Sequence, residues 1–284
     1  MDTFAERLTC LRAESERFTQ YLRTLPAEAW SRPSACTQWQ VQDVVAHLVG
    51  VAEFYADTVA RGLQGDASPP QGRPPAGSVN AAMTAESLAK RTIAARKRLA
   101  NHLLATFEAT NERLNHLLAG LTPEDRQKPC YHPGGMVPAQ HFIDLRLKEL
   151  ALHEWDIRSR LEPDFHLSPA SFSPMIELLA GSVASGSLRW GFWAGPALSA
   201  AVHYGFEVSG PVPYSADIIV EGDTARVAET GDTMPDVTFR CDTETFVLLV
   251  YGRLPLAEAL DSGRLAVEGD RDRALAFGQW FKGI

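Results

Sequence analysis

The spacing of apolar residues changes once along this chain, and that change limits the possible folds more than any other feature. Phe4, Leu8, Leu11, Phe18, Leu22 and Leu25 recur at steps of three, four or seven, one stripe along a helix. Leu198, Ala200, Val202, Tyr204, Phe206 and Val208 alternate instead, the period of a strand with one buried face. A helical bundle and a sheet bury their apolar faces differently, so two domains are expected, residues 1–162 and 163–284. Charge changes in the same region. Residues 1–160 carry 19 Lys and Arg against 18 Asp and Glu, while residues 161–284 carry 8 against 17. With a net charge of −8 and no basic stripe, nothing is positioned to replace phosphate counterions, which argues against nucleic-acid binding.

In the first domain Leu25-Pro26 ends the first helix, because the residue before proline is pushed out of the helical region. A second helix is predicted from Val41 to about Arg61, with Asp43 in its first turn. Gly62 to Gly77 holds four prolines and reads as a mobile loop. Helix returns near Ala81, with one long stretch from Ile93 to Leu118, and Gly120 as its stop. Pro138 opens the last helix, to about Arg160. Four long helices indicate a four-helix bundle. In the second domain, Ile218–Val220 and Ala225–Val227 flank a hairpin turn. Asp236 to Cys241 and Leu265 to Val267 read as strands, and Thr243 to Tyr251, Leu256 to Leu260 and Arg271 to Phe281 as helices. Strands beside helices without regular alternation indicate α+β.

No apolar run approaches the roughly 18 residues of a membrane span, and the charged segment at Phe4–Leu8 does not read as a signal peptide. The expectation is therefore a cytoplasmic protein without a membrane partner. Its four cysteines (Cys10, Cys36, Cys130 and Cys241) lack a CxxC pair and read as free thiols.

The sharpest chemical signal lies on the last helix of the bundle. Glu149 and His153 are four residues apart, stacked on one face. His47 lies on the apolar-flanked side of the second helix. Two histidines and a carboxylate from facing helices form a three-ligand set for zinc, which keeps one position open for water, substrate or thiolate. An isolated Glu/His pair at this spacing is ordinarily solvated, and a lone histidine among apolar residues is ordinarily a hydrogen-bonded core residue. His102 and His116, beside asparagines, read as a polar face. Trp39 and Trp155 read as packing residues, Cys36 as neither ligand nor nucleophile, and His132 as an exposed turn histidine.

Two segments carry a resemblance. Ser34-Ala-Cys-Thr-Gln-Trp39-Gln-Val-Gln-Asp43-Val-Val-Ala-His47 is similar to the first motif of the mycothiol-dependent maleylpyruvate isomerase family, whose N-terminal part is a DinB-like bundle. Val137-Pro138-Ala139 with Arg146-Leu-Lys-Glu149-Leu-Ala-Leu-His153-Glu-Trp-Asp156 is similar to the second. The resemblance implies that His47, Glu149 and His153 hold a divalent metal, generally zinc. Phe246 to Arg253 and Leu265 to Asp270 resemble the family's C-terminal part, which is similar to sterol-carrier folds. That match implies a role in activity for Arg253, which would grip a carboxylate of the thiol or of the acceptor. Gln40 departs from a Ser or Thr cap, Gln38 from a common glycine, and the loop at 62–77 is idiosyncratic.

The resemblance implies an enzyme in which zinc activates mycothiol as a thiolate for attack on a small electrophile. S-transfer is favoured over isomerisation, because isomerisation demands one particular substrate and no residue selects it. Two other readings stay open. A zinc-dependent hydrolase would need a general base, with Glu154 or Asp156 as nominees. A non-catalytic metal-containing lipid or small-molecule carrier would need a fourth protein ligand, with Asp43 as nominee.

Overall fold

The computed structural model describes residues 3–78, 81–162, 164–185, 195–228, 231 and 234–281. It divides into two compact units, the change falling between Ser171 and Phe172.

The first unit is helical: α1 (Thr3–Thr24), α2 (Val41–Leu63), α3 (Ala81–Leu99), α4 (Leu103–Ala119) and α5 (His141–Arg158). Four of these form the bundle: α1 and α2 each pack against both α4 and α5. Its apolar seam includes Leu11, Phe18, Val44, Leu48, Phe107, Leu114, Phe142 and Leu150, all buried. α2 starts where Asp43 turns back on its own first turn, its Oδ2 accepting from Gln40 N–H at 3.0 Å. This supplies the N-terminal cap that Gln40 by itself did not promise.

Three sequence expectations need correction here. The predicted unbroken helix from Ile93 to Leu118 is two helices, because Ala100 adopts φ +45° and a single 3-10 turn (Ala100–His102) separates them. Pro138 does not open the last helix. Val137–Pro138 (β2) pairs antiparallel with Pro129–Cys130 (β1), and α5 begins at His141. The loop after α2 is pinned rather than loose: Tyr131 Oη donates to Pro74 O, Gly77 N–H to Pro133 O, Lys128 Nζ to Leu63 O, and Arg73 lies over the Phe54 ring. Prolines that read as punctuation are bound to the segment around β1.

The second unit begins with α6 (Phe172–Ser185) and contains a five-stranded sheet in the order β5-β4-β3-β6-β7. Its strands are β3 (Leu198–Ser209), β4 (Tyr214–Gly222), β5 (Thr224–Ala228), β6 (Val237–Asp242) and β7 (Leu265–Gly269). β3 pairs parallel with β6, and every other pairing is antiparallel. The predicted hairpin is there, with Gly222 at φ +59° in its turn, where a side chain would be strained. α7 (Thr243–Val250), α8 (Leu256–Asp261) and α9 (Arg271–Trp280) complete the unit. The alternating residues of β3 deliver Tyr204 and Phe206 to a core shared with Phe239, Phe246 and Phe277. Phe206 meets Phe239, Phe246 and Phe277 with ring centroids at 5.0, 4.9 and 5.6 Å. The architecture is thus α followed by α+β, as the two periods required. Among the described residues no helix is long and apolar enough to cross a membrane.

Candidate metal centre

α2 and α5 face each other, and this contact brings His47 to the Glu149–His153 pair. His47 Nε2 and His153 Nε2 each lie 3.4 Å from Glu149 Oε2. The three donor atoms all fall within 4.8 Å of one another. A distance of 3.4 Å is long for a hydrogen bond. Donors about 2.0–2.1 Å from a tetrahedral zinc ion stand about 3.3–3.4 Å apart, so the spacing fits such an ion. Two imidazoles and one carboxylate oxygen are also a borderline donor set suited to zinc and similar divalent metals.

The surroundings act differently on each donor. The imidazole of His47 is pulled below its usual range by burial, a direction that favours the neutral, metal-binding form. Burial would raise the Glu149 carboxyl, but Lys148 and the two histidines outweigh it and hold it well below the usual range. Lys148 Nζ lies 3.4 Å from Oε1, the oxygen that the histidines do not use. For His153 burial is again the largest influence and lowers the pKa. Hydrogen bonding with Asp156, Cys36 and Glu149 overcomes it and leaves the group well above its usual range. Trp39 closes one side, its ring centroid 5.1 Å from that of His47 and 6.4 Å from that of His153. It packs, as expected, but it packs on the two histidines. Gln38, just before it, takes φ +74°, which a glycine would enter at less cost.

The nominated bases and the extra ligand are engaged elsewhere. Glu154 is buried and held by Arg17 and Arg158. Asp156 accepts from His153 and Cys36. Asp43 caps α2 and pairs with Arg96 at 2.9 Å. His102 and His116 are exposed on their polar face. Arg253 belongs to the second unit, in the turn after α7, where its Nη1 donates to Tyr251 O at 2.9 Å.

One residue lies otherwise than its sequence suggests, and another has a partner that spacing does not show. His132 is buried, at 7% exposure, and not an exposed turn residue. Its Nδ1 accepts from Gly134 N–H, and burial, helped by the nearby Lys148 charge, pushes it down to about 3. Cys36, which reads as neither ligand nor nucleophile, lies beside His153 and Asp156, and its thiol donates a hydrogen bond to the Asp156 carboxylate. The signal that could have found it is the distance of Asp156 from His153, one turn further along the same helix face. All four cysteines are free thiols, as expected.

Comparison with known proteins agrees with this architecture. Residues 11–158 match the family described as the mycothiol maleylpyruvate isomerase N-terminal domain, and residues 193–282 match the SCP-2 sterol transfer family. No curated protein sequence matches the chain. The crystal structure of a mutant of the mycothiol-dependent maleylpyruvate isomerase is similar at 15% identity and TM-score 0.62, covering 93% of this chain and 92% of that one. Another crystal structure of the mycothiol-dependent maleylpyruvate isomerase gives 15% identity and TM-score 0.58, covering 88% of this chain and 89% of that one. At such identities the likeness speaks for the fold. With its helical half matched as a family domain and the two-part fold shared almost end to end, the chain belongs to the mycothiol maleylpyruvate isomerase family.

Proposed function

We propose that this protein is a divalent-metal-dependent enzyme that uses a low-molecular-weight thiol, mycothiol, to attack a small electrophile. The observation that carries the reading is the 3.4 Å spacing of His47 Nε2 and His153 Nε2 from Glu149 Oε2, a zinc-sized arrangement built by three protein donors. When bound there, the metal supplies the Lewis acidity that makes a thiol a thiolate at neutral pH. The protein's own residues do the rest. His47 and His153 offer nitrogen donors, Glu149 offers one anionic oxygen, and Lys148 balances its other oxygen. Trp39 shields the two rings from water. Arg253 grips a carboxylate of thiol or acceptor, for which its planar fork is suited.

The thiolate sulfur forms a bond to an electrophilic carbon, whose π electrons move to the adjacent carbonyl. If the adduct is protonated and released, the reaction is S-transfer. If the former double bond, now single, rotates and the sulfur leaves, the product is an isomer and the thiol is returned. S-transfer makes the fewer demands on the second substrate, and we retain it as the favoured form.

The rival readings each lose a requirement. Hydrolysis needs a base beyond the donors, and the nominees Glu154 and Asp156 are both engaged. A carrier with a structural metal needs Asp43 as a fourth donor, and Asp43 is bound to Gln40 and Arg96.

The test is metal analysis with a screen of small thiols. We expect about one zinc per chain, activity that requires mycothiol, and a sulfur-to-metal absorption band when it is added to cobalt-substituted protein. Hydrolysis without thiol and an unchanged spectrum would overturn the reading. Thiol consumed with product marks S-transfer, and thiol recovered marks isomerisation.

A further inference from the structure

His153 can donate to a metal only if the lone pair of Nε2 points into the site and the proton sits on Nδ1. Asp156 lies one helical turn further along the same face. Its Oδ2 is 2.8 Å from His153 Nδ1. An ionised carboxylate accepts but cannot donate, so Nδ1 carries the proton and donates it to Oδ2. The same oxygen accepts from Cys36 Sγ–H at 3.0 Å. The loop is fixed there by its backbone too, since Ala35 N–H donates to the carbonyl of Asp156 at 2.7 Å. Asp156 is 1% and Cys36 7% exposed, so these bonds are made out of water.

Cys36, His153 and Asp156 could in principle hold an ion of their own, since their donor atoms lie within 4.8 Å of one another. The distances say otherwise. Separations of 2.8 and 3.0 Å onto Asp156 Oδ2 are hydrogen-bond lengths. They are shorter than the separation of about 3.3 Å between donors on one tetrahedral ion. The other trio, at 3.4 Å, has the wider spacing.

We propose that Asp156 is the positioning residue of His153, holding it as the Nδ1–H tautomer with Nε2 directed at the metal site. The Cys36 thiol in turn fixes the Asp156 carboxylate by hydrogen bonding. This rests on the reading of His47, Glu149 and His153 as the metal-holding set. Cys36 acts here as a hydrogen-bond donor and not as a nucleophile, so serine should replace it and alanine should not.

The experiment uses the full-length protein freed of metal, with correct folding checked by circular dichroism. Zinc affinity is measured by competition with a chromophoric chelator. The His153 tautomer is read by nitrogen-15 NMR at alkaline pH, where the ring is neutral, and needs no metal. For Asp156→Asn we expect zinc affinity to fall about 10- to 100-fold, with the His153 proton moving toward Nε2. For Cys36→Ala we expect a fall of about 2- to 10-fold, and for Cys36→Ser an affinity close to wild type. Wild-type affinity and an unchanged tautomer in Asp156→Asn would overturn the proposal. Equal losses in the alanine and serine variants would overturn the part assigned to Cys36, and that pair decides the matter if Asp156→Asn does not fold. A wild-type chain with no zinc affinity would sink the metal reading instead, while the tautomer measurement still judges Asp156.

Discussion

The two units bury different chemistry. The helical unit encloses Arg146, Lys148, His153, Glu154 and Asp156 on a single helix, with Asp43 and Glu14 nearby in the same bundle. The sheet unit encloses rings: Tyr204, Phe206, Phe239, Phe246, Phe277 and Trp280 are all at most 2% exposed. Burying a charged group is costly unless it is paired and hydrogen-bonded, whereas burying an aromatic ring is favourable by itself. The buried carboxylates of the last bundle helix are each paired: Glu154 meets two arginines, Asp156 meets His153 and Cys36, and Glu149 meets two histidines and Lys148. The comparison teaches that aromatic packing dominates the core of the sheet unit, where Asp217 and Glu244 are also buried, while the bundle gathers five buried titratable side chains on one helix.

The largest effect is expected where the sheet unit is cut. Phe277 stacks on Phe281 at 4.3 Å and meets Tyr204 and Phe239 at 5.1 and 5.3 Å. Phe277→Ala should cost about 3–5 kcal/mol in denaturant unfolding of that unit, with metal content per chain unchanged. A parallel loss of metal would break the contrast between the units.

His153→Ala attacks the other side of the comparison. With two donors left, zinc affinity should fall by about two to three orders of magnitude, while circular dichroism stays that of the folded chain. Full metal occupancy in this variant would remove His153 from the site.

Arg253→Lys asks whether the sheet unit also takes part in chemistry. A lysine keeps the charge but not the fork. Losing about 1.5–3 kcal/mol of charged hydrogen bonding lowers kcat/KM roughly 10- to 150-fold, with zinc and fold retained. Near-wild-type kinetics would confine the chemistry to the bundle.

The effect that is smallest near neutral pH, and grows only in acid, is a pH dependence from His132. Its folded pKa is lowered to about 3 by burial, while the unfolded chain titrates near 6.5. The unfolded state therefore binds the proton first. The His132 contribution to stability is whole above pH 6.5, is lost as pH falls below it, and levels off near 3. The slope in that window is at most about 1.4 kcal/mol per pH unit for one proton. His132→Gln should flatten the fall of melting temperature with acid, and an unchanged pH profile would show that His132 is not the titrating group.

What the sequence determined by itself is what local geometry encodes. Apolar steps of three and four, and then of two, required helices followed by a sheet, because each period puts one face of its element in the core. The same rule stacks Glu149 and His153, four residues apart, on one helix face. Tertiary structure alone decided the rest, since it concerns residues far apart in the chain. His47 reaches Glu149 across 102 positions, and Cys36 reaches Asp156 across 120. His132 is buried because Tyr55 and Phe142 pack on it, and the proline-rich loop is tied down by Tyr131. Spacing along a chain gives the direction of a side chain on its own element. Only the packing of one element on another says what that side chain meets, and hydrogen bonds, burial and metal-sized gaps all depend on that meeting.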